Sequence, residues 1–157
     1  MKKLSAFSVW SIFGFAVGYI AIFRLLSTAD ETKLSELSLP AGFPTRTGLI
    51  VIWAILFLLW IAGSCFVYSV RLSPRRKRNI FLNSMILLAG IFVWNFMIFS
   101  SCNLTGALAV CIAILLLGLV VWFMYLVSHR YGGYLFTSMM VWLLFLLYLS
   151  IALVVNN

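Results

Sequence analysis

Residues 107–127 read ALAVCIAILLLGLVVWFMYLV, and this stretch contains no charged side chain. A helix needs about 20 mostly apolar residues to cross the hydrocarbon core of a bilayer. The stretch has that length, and polar residues bound it, with Asn103 before it and Ser128–Arg130 after it. It is therefore predicted to be a transmembrane helix.

Further apolar stretches of similar length lie on both sides of this one. Together they predict spans at about 5–26, 48–70, 79–99, 107–127 and 134–155. The chain is thus predicted to be an all-α integral membrane protein, a bundle of five transmembrane helices forming a single domain over residues 1–157. Gly132 and Gly133 are expected to break the chain before the fifth span.

The composition supports a membrane protein. Of the 157 residues, 65% are hydrophobic and 9% are charged, whereas soluble domains have about 25% charged residues. A soluble fold of this size could not bury so much apolar surface. Lys2 and Lys3 resemble the start of a signal peptide, but the stretch from Leu4 to Leu26 is too long for one and is predicted to be retained.

The net charge of +8 comes from basic residues in the tails and loops. This placement indicates that the basic residues set the orientation of the chain in the membrane and contact anionic lipid headgroups. No nucleic acid is expected as a partner. The N-terminal segment has two basic residues, the second loop five and the fourth loop one, against three on the opposite side. The positive-inside rule then places the N-terminus in the cytoplasm and the C-terminus outside, in a bacterial cell membrane.

The one strongly polar segment is 27–47, the loop between the first and second predicted spans. It contains all the acidic residues of the chain: Asp30, Glu31 and Glu36. Its leucines suggest a short interfacial helix: Leu34, Leu37 and Leu39.

The sequence lacks the residue patterns that are typical of catalytic sites and metal sites. No ionisable residue lies inside a span, where it would indicate a functional site. His129 stands at a helix end without an acidic neighbour in sequence, and the three cysteines form no CxxC pair. We predict no catalytic residue, no metal site and no enzyme. What remains as a binding partner is an apolar or aromatic ligand, a partner protein or lipid itself.

The tryptophans are the remaining feature of the sequence that can indicate a function. Trp53, Trp94 and Trp142 lie several residues inside their spans, away from the interfacial position that is usual for tryptophan. They can form the walls of a pocket for a flat apolar ligand, or they can pack helices together.

The chain resembles the TspO/MBR family of tryptophan-rich sensory proteins and translocator proteins. The family pattern P-x-W-x-P-P-x-W, then V-W-x-x-L-Y, is matched by PAGFPTR at 40–46 and by WAILF at 53–57. The family's L-N-F-L-W-S-x-x-F-F is matched by residues 90–99, GIFVWNFMIF. Residues 132–136 lead to Trp142 at the spacing of the family's last helix.

The resemblance implies a pocket inside the bundle that binds porphyrins, haem-like tetrapyrroles, sterols and aromatic drugs. It also implies that the first loop, residues 27–47, covers this pocket as a lid. Homodimers are common in the family. No obligatory cofactor is implied, and porphyrin or haem would be a ligand. The ligand-binding residues implied for this chain are Trp53, Phe57, Ile91, Trp94 and Trp142 in the spans, with Phe43 and Pro44 in the lid.

Several polar and aromatic family positions differ here. The loop tryptophans correspond to Ala41 or Gly42 and to Thr47, and Thr45 replaces a proline. Further differences are Ile91 for asparagine, Ser138 and Met139 for Pro-Tyr, and Ser150 for a second asparagine. These losses predict broad ligand specificity, and they make the light-dependent porphyrin breakdown credited to some members doubtful for this chain.

The predicted function is a membrane receptor or binding protein for hydrophobic aromatic ligands, such as porphyrins or sterols, acting in sensing or transport. The alternative is a membrane scaffold or accessory subunit that binds no small molecule and acts through helix–helix contacts. Five glycines would serve those contacts: Gly14, Gly18, Gly63, Gly90 and Gly118.

Overall fold

The computed structural model describes residues 6–28, 38–40 and 42–157, and the regular structure in these ranges is helical. The helices are α1 (Ala6–Thr28), α2 (Arg46–Ser69), α3 (Pro74–Phe99), α4 (Leu104–Ser128) and α5 (Arg130–Asn156). Each is long and apolar enough to cross a membrane. The prediction of an all-α bundle of five spanning helices is confirmed. The lid residues 29–37 and 41, with the predicted interfacial helix, lie outside the described residues.

Side-chain caps fix where three of the helices begin. Thr45, Ser73 and Asn103 each accept a hydrogen bond from the backbone N–H three residues later, which satisfies an N–H group that has no partner inside the helix. Pro74 follows Ser73 at the first helical position, where its ring fits. The basic run 75–78, which precedes the predicted third span, therefore forms the start of α3.

A single residue, His129, connects α4 to α5. Its backbone N–H donates to the Tyr125 carbonyl at 2.8 Å, and its Nδ1 accepts from the Gly132 N–H at 3.4 Å. The prediction that Gly132 and Gly133 break the chain is wrong, because His129 ends one helix and caps the next, so both glycines lie inside α5.

The helices pack side by side in a closed ring. Within the described residues, α1 contacts α2 and α3, α3 contacts α4, α4 contacts α5, and α5 contacts α2. Successive helices alternate in direction. Arg71, the run 75–78 and Arg130 therefore lie at one end of the ring, and Arg46, Asn103 and Asn156 lie at the other, which we call the lid end.

The outer surface of the ring is apolar. Large hydrophobic side chains are exposed along the length of the helices, for example Phe13, Leu58 and Phe123. A surface of this kind suits hydrocarbon, and helices satisfy their own backbone hydrogen bonds there.

Glycines allow the closest approach between helices, and Gly63 of α2 lies against Gly132 of α5. A Cβ added at Gly132 would lie 2.9 Å from the Gly63 carbonyl oxygen and 2.8 Å from Val67 Cγ2. The backbones touch here, and neither can yield without moving a helix. Gly14 and Gly18 instead face the flexible side chains Met85 and Leu88 of α3.

We expect Gly132→Ala to destabilise the protein. The new methyl group would meet backbone atoms of α2, and overpacking of this kind costs about 1–3 kcal/mol. That cost exceeds the ~1 kcal/mol by which alanine is favoured over glycine in a helix. The measurement is the thermal unfolding midpoint of the detergent-solubilised protein, which should fall.

Gly14→Ala is the matched control. Its added Cβ would come within 2.8 Å of Met85 Sδ, near the end of a side chain that can rotate away. The unfolding midpoint of this variant should stay unchanged or rise. Equal midpoints for the two variants would mean that the Gly63–Gly132 contact does not limit the packing of α2 on α5.

Candidate functional site

Three of the predicted pocket residues form one aromatic cluster, made of Trp53, Phe57 and Trp142. The Trp53 and Phe57 rings stack with their centroids 5.7 Å apart, and Trp142 meets Trp53 edge to face at 6.0 Å. Trp53 is 0% exposed and Trp142 is half-buried. The cluster therefore joins α2 to α5 across the ring interior, with favourable ring geometry.

Further aromatic rings continue from the cluster toward the basic end. Phe57 stacks on Trp60 at 6.1 Å, and Trp60 meets Phe136 of α5 at 5.3 Å. Phe15 of α1 lies 4.4 Å from Trp60. The rings touch one another, so a flat ligand can enter between them only if some of them move apart.

Trp94 and Ile91 occupy a different part of the interior, on α3, and both are fully buried. The Trp94 Nε1 donates to Ser150 Oγ at 3.0 Å, and Ser150 Oγ donates to the Leu146 carbonyl at 2.8 Å. Ser150 stands where the resemblance described above led us to expect an asparagine. In this chain it serves as the partner of Trp94 and links α3 to α5.

The lid residues Phe43 and Pro44 are half-buried above the ring. The Phe43 ring lies 6.5 Å from Phe99, at the lid end of α3. The Phe43 N–H donates to the Pro40 carbonyl at 3.1 Å, and Gly42 between them has φ +86°, a conformation that favours glycine. The structure thus places this part of the lid directly on the bundle.

The C-terminal residue also contacts the lid. Asn157 Oδ1 accepts from the Ser38 N–H at 2.8 Å, and its Nδ2 donates to the Leu153 carbonyl at 3.0 Å. The lid is therefore attached to α5 at Ser38 as well as to α3 at Phe43.

Polar atoms without partners remain at the aromatic cluster and on α3. Trp53 Nε1, Trp142 Nε1 and Asn95 Oδ1 are buried and make no hydrogen bond in the described structure, and the same is true of Ser11 Oγ and Tyr68 OH toward the basic end. Most buried polar groups in proteins have a partner, and leaving one unpaired costs about 1–3 kcal/mol. Two N–H donors and one acceptor are thus available inside the ring to a molecule that brings complementary groups.

Asn95 is a residue that the sequence interpretation did not select. It is 0% exposed, and its Nδ2 donates to the Ile91 carbonyl at 2.8 Å. A carbonyl can only accept, so this bond fixes which end of the amide is Oδ1. Ile91 stands where the family has asparagine, and residues four apart share a helix face. The sequence did contain a signal for Asn95, because it is an amide inside an apolar span. It lies one helical turn beyond Ile91, the position where an asparagine was expected.

A second buried polar group lies closer to the basic end, around Tyr125 of α4. Its hydroxyl accepts from Trp60 Nε1 at 3.1 Å and lies 2.7 Å from Ser64 Oγ and 3.4 Å from Ser84 Oγ. Ser64 Oγ donates to the Trp60 carbonyl at 2.9 Å, so it accepts from Tyr125. This network joins α2, α3 and α4, and its polar groups all have partners. Periodicity could not reveal it, because each member reads as an ordinary membrane-helix residue.

The one histidine has a structural position. The His129 ring stacks on Phe66 with centroids 5.4 Å apart, besides capping α5. Across the described ranges, no group of three or more His, Cys, Asp or Glu side chains could hold a metal ion.

These features define an integral membrane protein whose five helices enclose a core of indole and phenyl rings. The chain belongs to the TspO/MBR family, whose sequence model matches residues 7–155. The predicted family is thereby confirmed, and with it a membrane protein of the sensory or binding kind, in a family of binding and translocator proteins rather than enzymes. No curated protein matches the chain.

We expect Tyr125→Phe to lower the thermal unfolding midpoint. The change leaves Trp60 Nε1 without its acceptor inside hydrocarbon, next to two serines that lose a partner. The expected loss is about 1–3 kcal/mol.

Tyr134→Phe is the control, because Tyr134 is 63% exposed on the outer surface of α5. The thermal unfolding midpoint of the Tyr134→Phe variant should match that of the unaltered protein. Equal midpoints for Tyr125→Phe and Tyr134→Phe would show that the buried network does not stabilise the fold.

Proposed function

We propose that this protein binds flat hydrophobic molecules of the porphyrin or sterol class inside the ring, between the aromatic cluster and the lid. The observation that carries the proposal is the pair of buried, unpartnered indole N–H groups of Trp53 and Trp142, whose rings meet at 6.0 Å. Their rings offer stacking surfaces, and their N–H groups offer hydrogen bonds to an acceptor on the ligand.

Asn95 supplies the complementary acceptor in this proposal. It lies one turn before the lid end of α3, at a level close to Phe99 and the lid residue Phe43. A ligand that carries an O–H or N–H group at one edge, and acceptor groups elsewhere, would satisfy all three unpartnered atoms. A sterol hydroxyl and a protonated propionic acid group at the edge of protoporphyrin are such donors.

Few polar groups are available to orient the ligand, which supports broad specificity. Ile91 and Ser150 occupy positions where the family has asparagine, and Ser150 is already bonded to Trp94. Discrimination between ligands of similar shape would come mainly from apolar contacts, which separate them weakly.

The alternative, a scaffold without a ligand, depends on glycines that would face a partner. In the structure these glycines face helices of the same chain: Gly14 and Gly18 face α3, Gly63 faces α5, Gly90 faces α4, and Gly118 faces α5. They therefore give no support to a partner surface. Co-purification of a stoichiometric partner protein would favour the scaffold function.

Two further parts of the proposal concern the membrane. We propose a bacterial cell membrane, with the basic end of the ring in the cytoplasm and Asn156 at the outer face, because Arg71, the run 75–78 and Arg130 share one end. A homodimer stays a prediction from the family, to be checked by the mass of the detergent-solubilised particle.

For ligand binding, we expect protoporphyrin to quench tryptophan fluorescence saturably in purified, solubilised protein. Trp142→Phe keeps a ring in place but removes one N–H donor, so it should weaken binding about fivefold, the value of a net hydrogen bond of ~1 kcal/mol. The control Trp10→Phe alters a ring that is 61% exposed on the outside of α1, and it should leave the affinity unchanged.

A second variant, Asn95→Leu, separates a ligand role from a packing role. It removes an unpaired buried acceptor, so thermal stability should rise while protoporphyrin affinity falls. Non-saturable quenching in all variants would mean partitioning into detergent and would refute the proposed function. Unchanged affinity in both Trp142→Phe and Asn95→Leu would refute the proposed site.

For orientation, we expect alkaline phosphatase fused after Asn157 to be active in a bacterial host, because that enzyme folds only outside the cytoplasm. The same fusion placed after Ser73, beside the basic run of α3, should be inactive. The reverse pattern would invert the proposed topology.

A further inference from the structure

A cavity of about 270 Å³ lies between α1 and α2, away from the lid. Phe15, Tyr19 and Phe57 supply three ring walls. Ala16, Ala54, Leu58 and Ile61 complete the lining, and Ala16 and Leu58 are exposed on the outer surface of the ring. The cavity therefore opens toward lipid and not toward either end of the bundle.

The depth of this cavity restricts what can reach it. Phe15 and Tyr19 lie near the middle of α1, which spans Ala6–Thr28, and Phe57 lies in the middle of α2, which spans Arg46–Ser69. The opening is thus near the centre of the bilayer, where water and polar solutes are excluded. Only a molecule dissolved in hydrocarbon can enter.

Small side chains produce the gap. Ala16 of α1 and Ala54 of α2 both line it, and their methyl side chains leave the space between the larger lining residues unfilled. A larger side chain at either position would fill the opening from one side only.

Phe57 connects this cavity with the aromatic cluster. One side of its ring forms the cavity wall, and the ring stacks on Trp53 at 5.7 Å, which in turn meets Trp142 at 6.0 Å. Phe57 is 2% exposed, so its ring closes the passage in this structure. Moving this side chain would open the cavity toward the Trp53 ring, the next ring of the aromatic cluster.

We propose that the α1–α2 cavity is the entrance through which the flat hydrophobic ligand passes from the bilayer to the aromatic cluster, with Phe57 as its gate. This inference rests on the proposed function. A cavity of about 150 Å³ holds a benzene molecule, so the space between α1 and α2 admits the leading edge of a fused ring system but not a whole macrocycle. That size suits a passage rather than a final site.

An entrance and a binding site give different kinetics. Blocking an entrance raises the barrier equally for association and dissociation, so both rate constants fall by the same factor and the dissociation constant is unchanged. Altering a site changes the dissociation constant itself.

The test uses the full-length protein in phospholipid vesicles, with protoporphyrin added from donor vesicles and tryptophan quenching followed by stopped flow. Ala54→Leu should slow association and dissociation alike by about tenfold, because tenfold corresponds to ~1.4 kcal/mol of added barrier. Ala113→Leu makes the same change on the outer surface of α4, where Ala113 is exposed, and should alter neither rate.

Ala16→Leu fills the same gap from α1 and serves if Ala54→Leu fails to fold; it should slow both rates in the same way. Saturable binding with unaltered rates in a filled variant would overturn the entrance while leaving the proposed function intact. A changed dissociation constant with an unchanged association rate would also overturn it, since the cavity would then be a site. Absence of saturable quenching in the unaltered protein would refute the proposed function itself.

Discussion

The contact between Gly63 and Gly132 sets the register on which the interior depends. It brings the backbones of α2 and α5 together toward the basic end, and the two antiparallel helices also pack against each other beyond this point. Each step along α2 toward the lid is matched by an equal step along α5. This register places Trp53 opposite Trp142, and the aromatic cluster follows from two glycines with no side chain.

Buried polar groups occur in both halves of the interior. Toward the basic end, Tyr125, Trp60, Ser64 and Ser84 satisfy one another, while Ser11 Oγ and Tyr68 OH in the same half make no hydrogen bond. At the aromatic cluster and near the lid, two indole N–H groups and the Asn95 oxygen lack partners. Hydrocarbon offers them no water as a substitute. A bound molecule could supply partners to these three atoms, whereas the Tyr125 network already has its own.

Much of the fold could be predicted from the sequence because hydrocarbon imposes simple rules. A stretch such as 107–127 must be a helix if it is to cross a bilayer, and Trp53 with Phe57 follow from their spacing in the family. Helix ends were less predictable. The Ser73–Pro74 cap adds a turn of basic residues to α3. His129 alone separates α4 from α5, where Gly132 and Gly133 were expected to break the chain.

The site was only partly predictable, because the spacing of residues along the chain does not determine how close two side chains on different helices lie. Trp94 shares the helical placement of Trp53 and Trp142, yet it is bonded to Ser150 rather than joined to their cluster. Asn95 has a face in common with Ile91, but only the packed structure shows that its amide oxygen lacks a partner. The gap beside Phe57 arises from two alanines on different helices, which no periodicity connects.

The short connection between α3 and α4 has a consequence for how the chain is assembled in its membrane. It consists of Ser100–Asn103, bears no charge, and turns tightly at Cys102 with φ 51°. Moving a charged side chain through hydrocarbon is costly, and this turn requires none to move. The tip of the α3–α4 hairpin can therefore cross the hydrocarbon without carrying a charge through it, whereas the other end of α3, with its basic run, cannot.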